Sequence, residues 1–267
     1  MPSKTSENLF EDAFANSFKY FRSLPFLMGG KEKDMIAEGL DLKVQFAKRG
    51  GQVPVVVQQS RIDGEGVLCG GDILRMEYAD NAVLGITLSE GHPFLWTPEG
   101  SIVEETGLQI FEILVDCDQD ALIYRCRGDY RSRGDSARLF RQLPSPSEVK
   151  YDKDGLVPVV TQELATGDVL MVAYANADAL RKTIEDGFAT YWSTSRKALW
   201  KKGESSGDLL RTESILLQSG GNAVAYVVEM LGSGACHTEA KDGTHRKSCF
   251  YRKIADRNRL EFLPGME

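Results

Sequence analysis

Changes in the alternation of hydrophobic and polar positions divide this chain into short blocks. NADALRKTIEDG (176–187) reads as a brief helix, with Asn176 as its N-cap and Gly187 just past its end. TESILLQ and AVAYVVEM are apolar, β-rich runs on either side of SGGN, which predicts a hairpin. The polar, proline-bearing stretch RQLPSPSEVKYDKDG (141–155) reads as a linker. Ahead of these, residues 1–50 contain LFEDAFANSFKYF and KDMIAEGLDLKVQFAKRGG, which predict helix.

The block pattern occurs twice. GDILRMEYADNAVLGITLSEGHPFLW (71–96) lies over GDVLMVAYANADALRKTIEDGFATYW (167–192) at a constant offset of 96, with Gly71/Gly167, Tyr78/Tyr174, Gly91/Gly187 and Trp96/Trp192 among the identities. VPVVVQ (53–58) mirrors VPVVTQ (157–162), and IFEILVDCDQDALIYRC lies over TESILLQSGGNAVAYVV. Gaps fall only between these blocks, the signature of an internal duplication. The expected organisation is a helical extension over 1–50, a first repeat over 51–143 and a second over 151–267, each repeat α+β and rich in strand.

Composition narrows the classes. With 42% hydrophobic and 27% charged residues the chain is that of a packed globular protein. A net charge of −7 argues against general binding to nucleic acid or anionic membranes. No apolar run reaches the roughly 18 residues that a membrane span needs. Glu7, Glu11 and Asp12 stand where a signal or transit peptide would be basic, so a cytoplasmic protein is expected. The five cysteines (Cys69, Cys117, Cys126, Cys236 and Cys249) are an odd count, favouring thiols or metal ligands over disulfides.

The two repeats kept different chemistry. The first carries DCDQD, in which Asp116, Asp118 and Asp120 crowd like charges around Cys117. The aligned turn of the second repeat is Gln218-Ser219-Gly220-Gly221-Asn222, without carboxylate or thiol. This alignment predicts an acidic turn open to solvent or a partner. Only the second repeat has GACHTEAKDGTHRKSCFY (234–251) and YWSTSRKALWKKGESSG (191–207). Cys117, Cys236 and Cys249 together offer three soft thiolates, the ligands zinc prefers, with a fourth position left for water. Asp116, Asp118 and Asp120 are hard oxygen donors suited to hydrated magnesium. Ser193, Ser195, Arg196, Lys201 and Lys202 concentrate hydroxyls and positive charge in an acidic protein, which suits a phosphate. Trp192 and Trp200 fit either stacking on a purine or core packing. Cys126 ends a β-rich run and reads as a small core residue.

GDVLMVAYANADAL, YWSTSRKALWKKGESSG, ACHT…SCFY and DCDQDAL together resemble the phosphoribosyl-AMP cyclohydrolases of histidine biosynthesis. The resemblance implies hydrolysis of the N1–C6 bond of the adenine ring by zinc-activated water, with magnesium beside the zinc. It implies that Glu204 and Ser206 join Ser193, Ser195, Arg196, Trp200 and Lys202 in holding the substrate. His237 is then either the general base or a group that orients a thiolate. In the family two identical chains share each zinc site. The resemblance therefore implies a fused pseudo-dimer, its repeats face to face, with one complete site; further oligomerisation stays open.

Two departures stand against the pattern. Twelve residues separate Cys236 from Cys249, more than in the family, and His245 in this longer loop is available as an extra ligand. After KGESSG, Asp208, Leu209 and Leu210 replace the family's histidine and glutamine. No room is seen after SCFYRKI for the pyrophosphohydrolase domain sometimes fused to the family, so a single activity is expected. Two other readings remain: a ring-opening hydrolase of another purine nucleotide, and a non-catalytic zinc and nucleotide-binding protein. A substrate panel separates the first.

Overall fold

The computed structural model describes residues 51–62, 68–128, 140–256 and 259–267; the helices expected over 1–50 lie outside them. The first elements are β1 (Val53–Gln59), β2 (Arg61–Ile62), β3 (Leu68–Cys69), β4 (Ile73–Ala79) and helix α1 (Asn81–Glu90). Next come β5 (Phe94–Trp96), β6 (Ile102–Glu104), β7 (Leu108–Val115), β8 (Leu122–Gly128) and β9 (Phe140–Gln142). β10 (Val157–Glu163), β11 (Val169–Ala175), helix α2 (Ala177–Asp186), β12 (Thr190–Ser193) and β13 (Ala198–Lys201) follow. β14 (Leu210–Gln218), β15 (Val224–Met230), β16 (Arg252–Asp256) and β17 (Arg259–Phe262) complete the order. The class is α+β and β-rich, as expected. Among the described residues no helix is long and apolar enough to cross a membrane.

The valine runs at the head of each sequence block become buried strands. β1 pairs in parallel with β8, Val55 opposite Leu122. β10 pairs in parallel with β15, Val159 opposite Val224. Both are covered along most of their length, which is why they read as continuous apolar runs.

Two compact units result. The first is built on a sheet of order β17-β16-β7-β8-β1-β4-β5-β6, apart from Ile73–Met76 of β4, which belongs to the second unit, and the second on β11-β10-β15-β14-β9. Within them the inner orders β7-β8-β1-β4 and β14-β15-β10-β11 correspond. Residues aligned in sequence also share local geometry. A bulge falls between Ile110 and Glu112 in β7, and between their aligned partners Thr212 and Ser214 in β14. Asp80 caps α1 through the Val83 amide and Asn176 caps α2 through the Ala179 amide, both at 2.8 Å. Gly91 and Gly187 close these helices in the left-handed conformation, at φ 77° and 73°. The Thr87 hydroxyl exchanges hydrogen bonds with the backbone of Phe94, and the Thr183 hydroxyl with that of Thr190. Each helix is thereby fixed to the segment that follows it.

The units do not follow the contiguous segments 51–143 and 151–267. β9, which overlaps the start of the expected linker, belongs to the second unit, where Arg141 pairs opposite Leu217 of β14. β16 and β17 come last in sequence yet edge the first unit's sheet, with Arg252 opposite Val115 and Lys253 opposite Leu114 of β7. The 141–155 stretch is correspondingly less of a linker than its composition suggests: Arg141 and Gln142 lie in β9, and Pro146–Glu148 forms a 3-10 turn capped by Ser145. An exposed edge on β7 or β14 would leave a row of backbone groups unpaired; β16 covers the first and β9 the second.

Replacing Asn176 by Ala removes the α2 cap without touching the strands. The expected loss is about 1 kcal/mol of stability, read from urea denaturation.

Candidate active site

The DCDQD segment connects β7 to β8 as a tight turn. Its backbone closes through Asp116 N–H to Ala121 O at 3.2 Å and Gln119 N–H to Asp116 O at 3.2 Å. Gln119 adopts φ 59°, a left-handed conformation that costs a side-chain-bearing residue about 1–2 kcal/mol. The aligned position in the second unit is Gly221, at φ 79°, where that cost is absent.

The three aspartates do different jobs. Asp116 is buried, and its carboxylate accepts from the amides of Asp120 at 2.8 Å, Ala121 at 3.0 Å and Asp118 at 3.4 Å. It organises the turn and does not lie open as expected, and its three converging N–H groups offset part of the cost of burying the carboxylate. Asp118 is exposed and Asp120 half-buried. The ligand atoms that come together are those of Asp116, Cys117 and Asp118, all within 4.8 Å of one another. Burial, and then the charge of Asp120, push the Asp116 carboxyl up to about 7. A carboxyl raised in the folded state favours its protonated form. The turn is therefore most stable below the ordinary carboxylate range and loses that margin as pH rises toward 7, unless a cation restores it.

In the second unit the aligned turn is closed by amides. Gln218 accepts from the Met76 amide at 2.7 Å and donates to Asn222 at 3.1 Å. This neutral network occupies the place of the carboxylates and thiol.

The CHT…SC segment is an ordered hairpin. The amides of Ala235 and Cys236 donate to the carbonyls of Lys247 and Arg246, both at 3.0 Å, and that of Ala240 donates to Thr244 at 2.8 Å. Asp242 turns the chain at the tip by accepting from the amide and hydroxyl of Thr244. Gly234 is required here, because a Cβ would lie 2.3 Å from the carbonyl oxygens of His245 and Arg246. The extra residues thus lengthen the tip and leave the two cysteines at its base. Cys236 is fully buried, with its sulfur 3.0 Å from the Thr238 hydroxyl. Cys249 is fixed by its amide to Leu170 O at 2.8 Å, beside Ser248, whose hydroxyl reaches Val169 O at 2.8 Å. Lys247 anchors the same segment through Glu163 at 2.7 Å and Asp168 at 3.1 Å. His237 stands exposed next to buried Cys236. Cys126 is fully buried, and burial pushes its thiol well up, as suits a core residue.

Asp208, flagged in the sequence only as a departure, is a hub. It is buried, and its carboxylate accepts from the Ser233 amide at 2.8 Å and hydroxyl at 3.1 Å, and hydrogen-bonds His245 Nδ1. His245 is thus committed to a carboxylate and is not grouped with the cysteines. Burial alone would raise the Asp208 carboxyl, but these hydrogen bonds outweigh it and hold it well below the usual carboxylate range. Gly203 and Gly232 pack so closely that a Cβ on either would lie 2.2–2.3 Å from Asp208 atoms.

The segment predicted to bind phosphate spans the β12–β13 hairpin and the turn after it. Ser193 accepts from the Arg196 amide at 3.1 Å and lies 3.3 Å from the Ser195 hydroxyl, while Ser195 and Arg196 are exposed. Trp200 packs on buried Tyr191, ring centroids 4.9 Å apart. Glu204 and Ser206 are exposed, and Ser206 accepts from the Asp208 amide. Lys202 is only 9% exposed, yet among the described residues it makes no ion pair or side-chain hydrogen bond. Its aliphatic stem is covered and its ammonium has no protein counter-charge among those residues, which leaves the charge available to an anionic ligand.

Buried Cys236 beside exposed His237 offers a metal-binding donor pair, and Asp116, Cys117 and Asp118 offer another group of donors. The family model for phosphoribosyl-AMP cyclohydrolase matches residues 171–251. The phosphoribosyl-AMP cyclohydrolase of Archaeoglobus fulgidus is 49% identical over 107 residues, which cover 40% of this chain and 93% of that protein. The one from Janthinobacterium sp. is 50% identical over 108 residues, 40% of this chain and 76% of that protein. The histidine biosynthesis bifunctional protein HisIE of Aquifex aeolicus is 41% identical over 114 residues, 43% of this chain and 52% of that protein. The chain belongs to the phosphoribosyl-AMP cyclohydrolase family.

Asp208→Asn tests the hub. Because the folded carboxyl is depressed, its stabilisation is present above the ordinary carboxylate value of about 4 and is lost as pH falls through the folded value. The variant is expected to be about 1.5–3 kcal/mol less stable at pH 7, a gap that closes in strong acid, measured by urea unfolding across pH.

Proposed function

We propose that this chain hydrolyses the N1–C6 bond of the adenine ring of 1-(5-phosphoribosyl)-AMP in histidine biosynthesis, at one site shared between two repeats that arose by duplication. The observation that carries the shared site is the register of β16. It begins three residues after Cys249 and pairs with the end of β7, two residues before Cys117. Three residues of chain span at most about 10 Å, and this short connection supports a site that draws on both repeats. The hairpin then brings Cys236 back toward Cys249. Matching bulges, caps and registers support the duplication, with the repeats standing in for two subunits as a pseudo-dimer. The amide-closed turn at Gln218–Asn222 supports a single site.

Cys117, Cys236 and Cys249 fit zinc by donor chemistry, being thiols at buried or half-buried positions. Zinc, when bound, lowers the pKa of its water toward about 7. Asp116, Asp118 and Asp120 fit magnesium, which when bound neutralises their mutual repulsion and helps orient substrate phosphate. His237, exposed beside Cys236, takes a proton from the attacking water. The water oxygen adds to C6 and ends as the carboxamide oxygen, while N1 leaves with a proton and the ring opens. Lys202, Arg196, Ser193 and Ser195 hold the phosphate, with Ser206 and Glu204 on the adjoining turn and Trp200 anchored on Tyr191 alongside.

Turnover of phosphoribosyl-AMP by the purified zinc-loaded protein, followed by ultraviolet absorbance, tests this reading. Cys117→Ser is expected to lower turnover by about three orders of magnitude or more. Equal turnover in parent and variant would refute the shared site. An inactive parent that opens another purine nucleotide in a substrate panel would replace the substrate, and one that only binds nucleotide would replace the activity. Lys202→Met is expected to raise KM roughly 10–100-fold with a smaller change in kcat, in steady-state assays.

A further inference from the structure

We infer that Arg252 is a positioning residue for Cys117, fixing the backbone on both sides of that cysteine so that its thiolate is aimed for metal capture. The inference rests on the shared-site reading above and goes beyond it by assigning a role to a residue that ligates nothing. One guanidinium nitrogen, Nη2, donates to the Asp116 carbonyl at 2.8 Å and to the Cys117 carbonyl at 2.9 Å. These carbonyls belong to the two peptide planes that flank the Cys117 Cα. Peptide planes are rigid, so holding both fixes φ and ψ at that residue and with them the direction of Cα–Cβ. The turn needs such a restraint, because it holds Gln119 in a left-handed conformation that favours its relaxation.

The second unit supplies an internal control. Arg141 stands opposite Leu217, as Arg252 stands opposite Val115, and Leu217 and Val115 are aligned residues. Arg141 therefore holds the equivalent strand position. Its guanidinium nevertheless reaches Glu148 at 2.5 Å, with both side chains nearly half exposed, and the turn it borders has no thiol. Arginine occupies both positions, but the clamp on consecutive carbonyls is made where the cysteine is. The β16 strand does not depend on the clamp for its place: Lys253 pairs with Leu114 through the backbone and lies 3.8 Å from Glu112, which also binds Arg125 at 3.1 Å. Removing the guanidinium should loosen the turn and leave the ladder intact.

The test is zinc affinity in the full-length protein, by anaerobic competition with a chromophoric chelator, together with the cobalt-substituted spectrum, which reports thiolate-to-cobalt charge transfer. Arg252→Lys keeps the charge and the stem but cannot reproduce the planar guanidinium. It is expected to weaken zinc binding about 10–100-fold, the range for a group that orients a ligand, and to reduce the charge-transfer band. The metal-free melting temperature should be unchanged, and Arg141→Lys should bind zinc like the parent. An unchanged zinc affinity and cobalt spectrum in Arg252→Lys, alongside loss of both in Cys117→Ser, would overturn the clamp and leave the shared site standing. If Cys117→Ser also binds zinc like the parent, the shared-site reading fails and the clamp with it. A fall in metal-free stability matching the fall in affinity would make Arg252 a fold residue and overturn the inference.

Discussion

Pairing between β16 and β7 is the constraint on which the Cys117 turn and the edge of the first sheet depend. β7 ends at Val115 and runs directly into the turn that carries Cys117. β16 is reached only after the chain has laid down Cys236, the hairpin and Cys249. Their ladder is antiparallel, so β7 leaves it toward Cys117 at the same end where β16 enters it from Cys249. A backbone ladder of this kind is specified by alternation and burial, with no metal needed to hold it. The turn that carries Cys117 is thus set by a backbone ladder that forms without any cation, which reduces the ordering that metal binding at this turn must accomplish.

Corresponding turns show how a conserved backbone can carry opposite chemistry. Both close through the same carbonyl and amide positions and both need a left-handed residue, Gln119 in one and Gly221 in the other. In the first, a buried carboxylate gathers three amides and stands beside a thiol. In the second, Gln218 and Asn222 satisfy the turn with neutral groups. The acidic version is the less comfortable alone, since burial and Asp120 raise the Asp116 carboxyl. The neutral version is content without a cation, and so has no chemical use for one.

Asp208 explains why a longer loop between Cys236 and Cys249 is tolerated. The additional residues extend a hairpin whose base is fixed by paired amides. The histidine they introduce is held by a carboxylate rooted beside the GESSG turn. The loop and the cationic segment are therefore mechanically joined within one unit. His245, attractive as an extra ligand from its chemistry alone, serves this junction.

Helix limits, their Asn and Gly caps, the SGGN hairpin and the valine strands were all legible in the sequence, because each is set by residues a few positions apart. Cys117, Cys236 and Cys249 could also be singled out by chemistry, since thiols amid charged turns are unusual. Tertiary structure alone decided which unit owns β9 and β16, that Asp116 is buried as the organiser of its turn, and that Arg252 and Asp208 are tied to groups far along the chain. Arg252 meets carbonyls 135 and 136 residues away, and Asp208 meets His245 across 37 residues. Backbone carbonyls have no sequence signature, and an edge strand's choice of sheet depends on which edge is left uncovered. Local pattern fixed what each segment becomes; long-range pairing fixed what it stands beside.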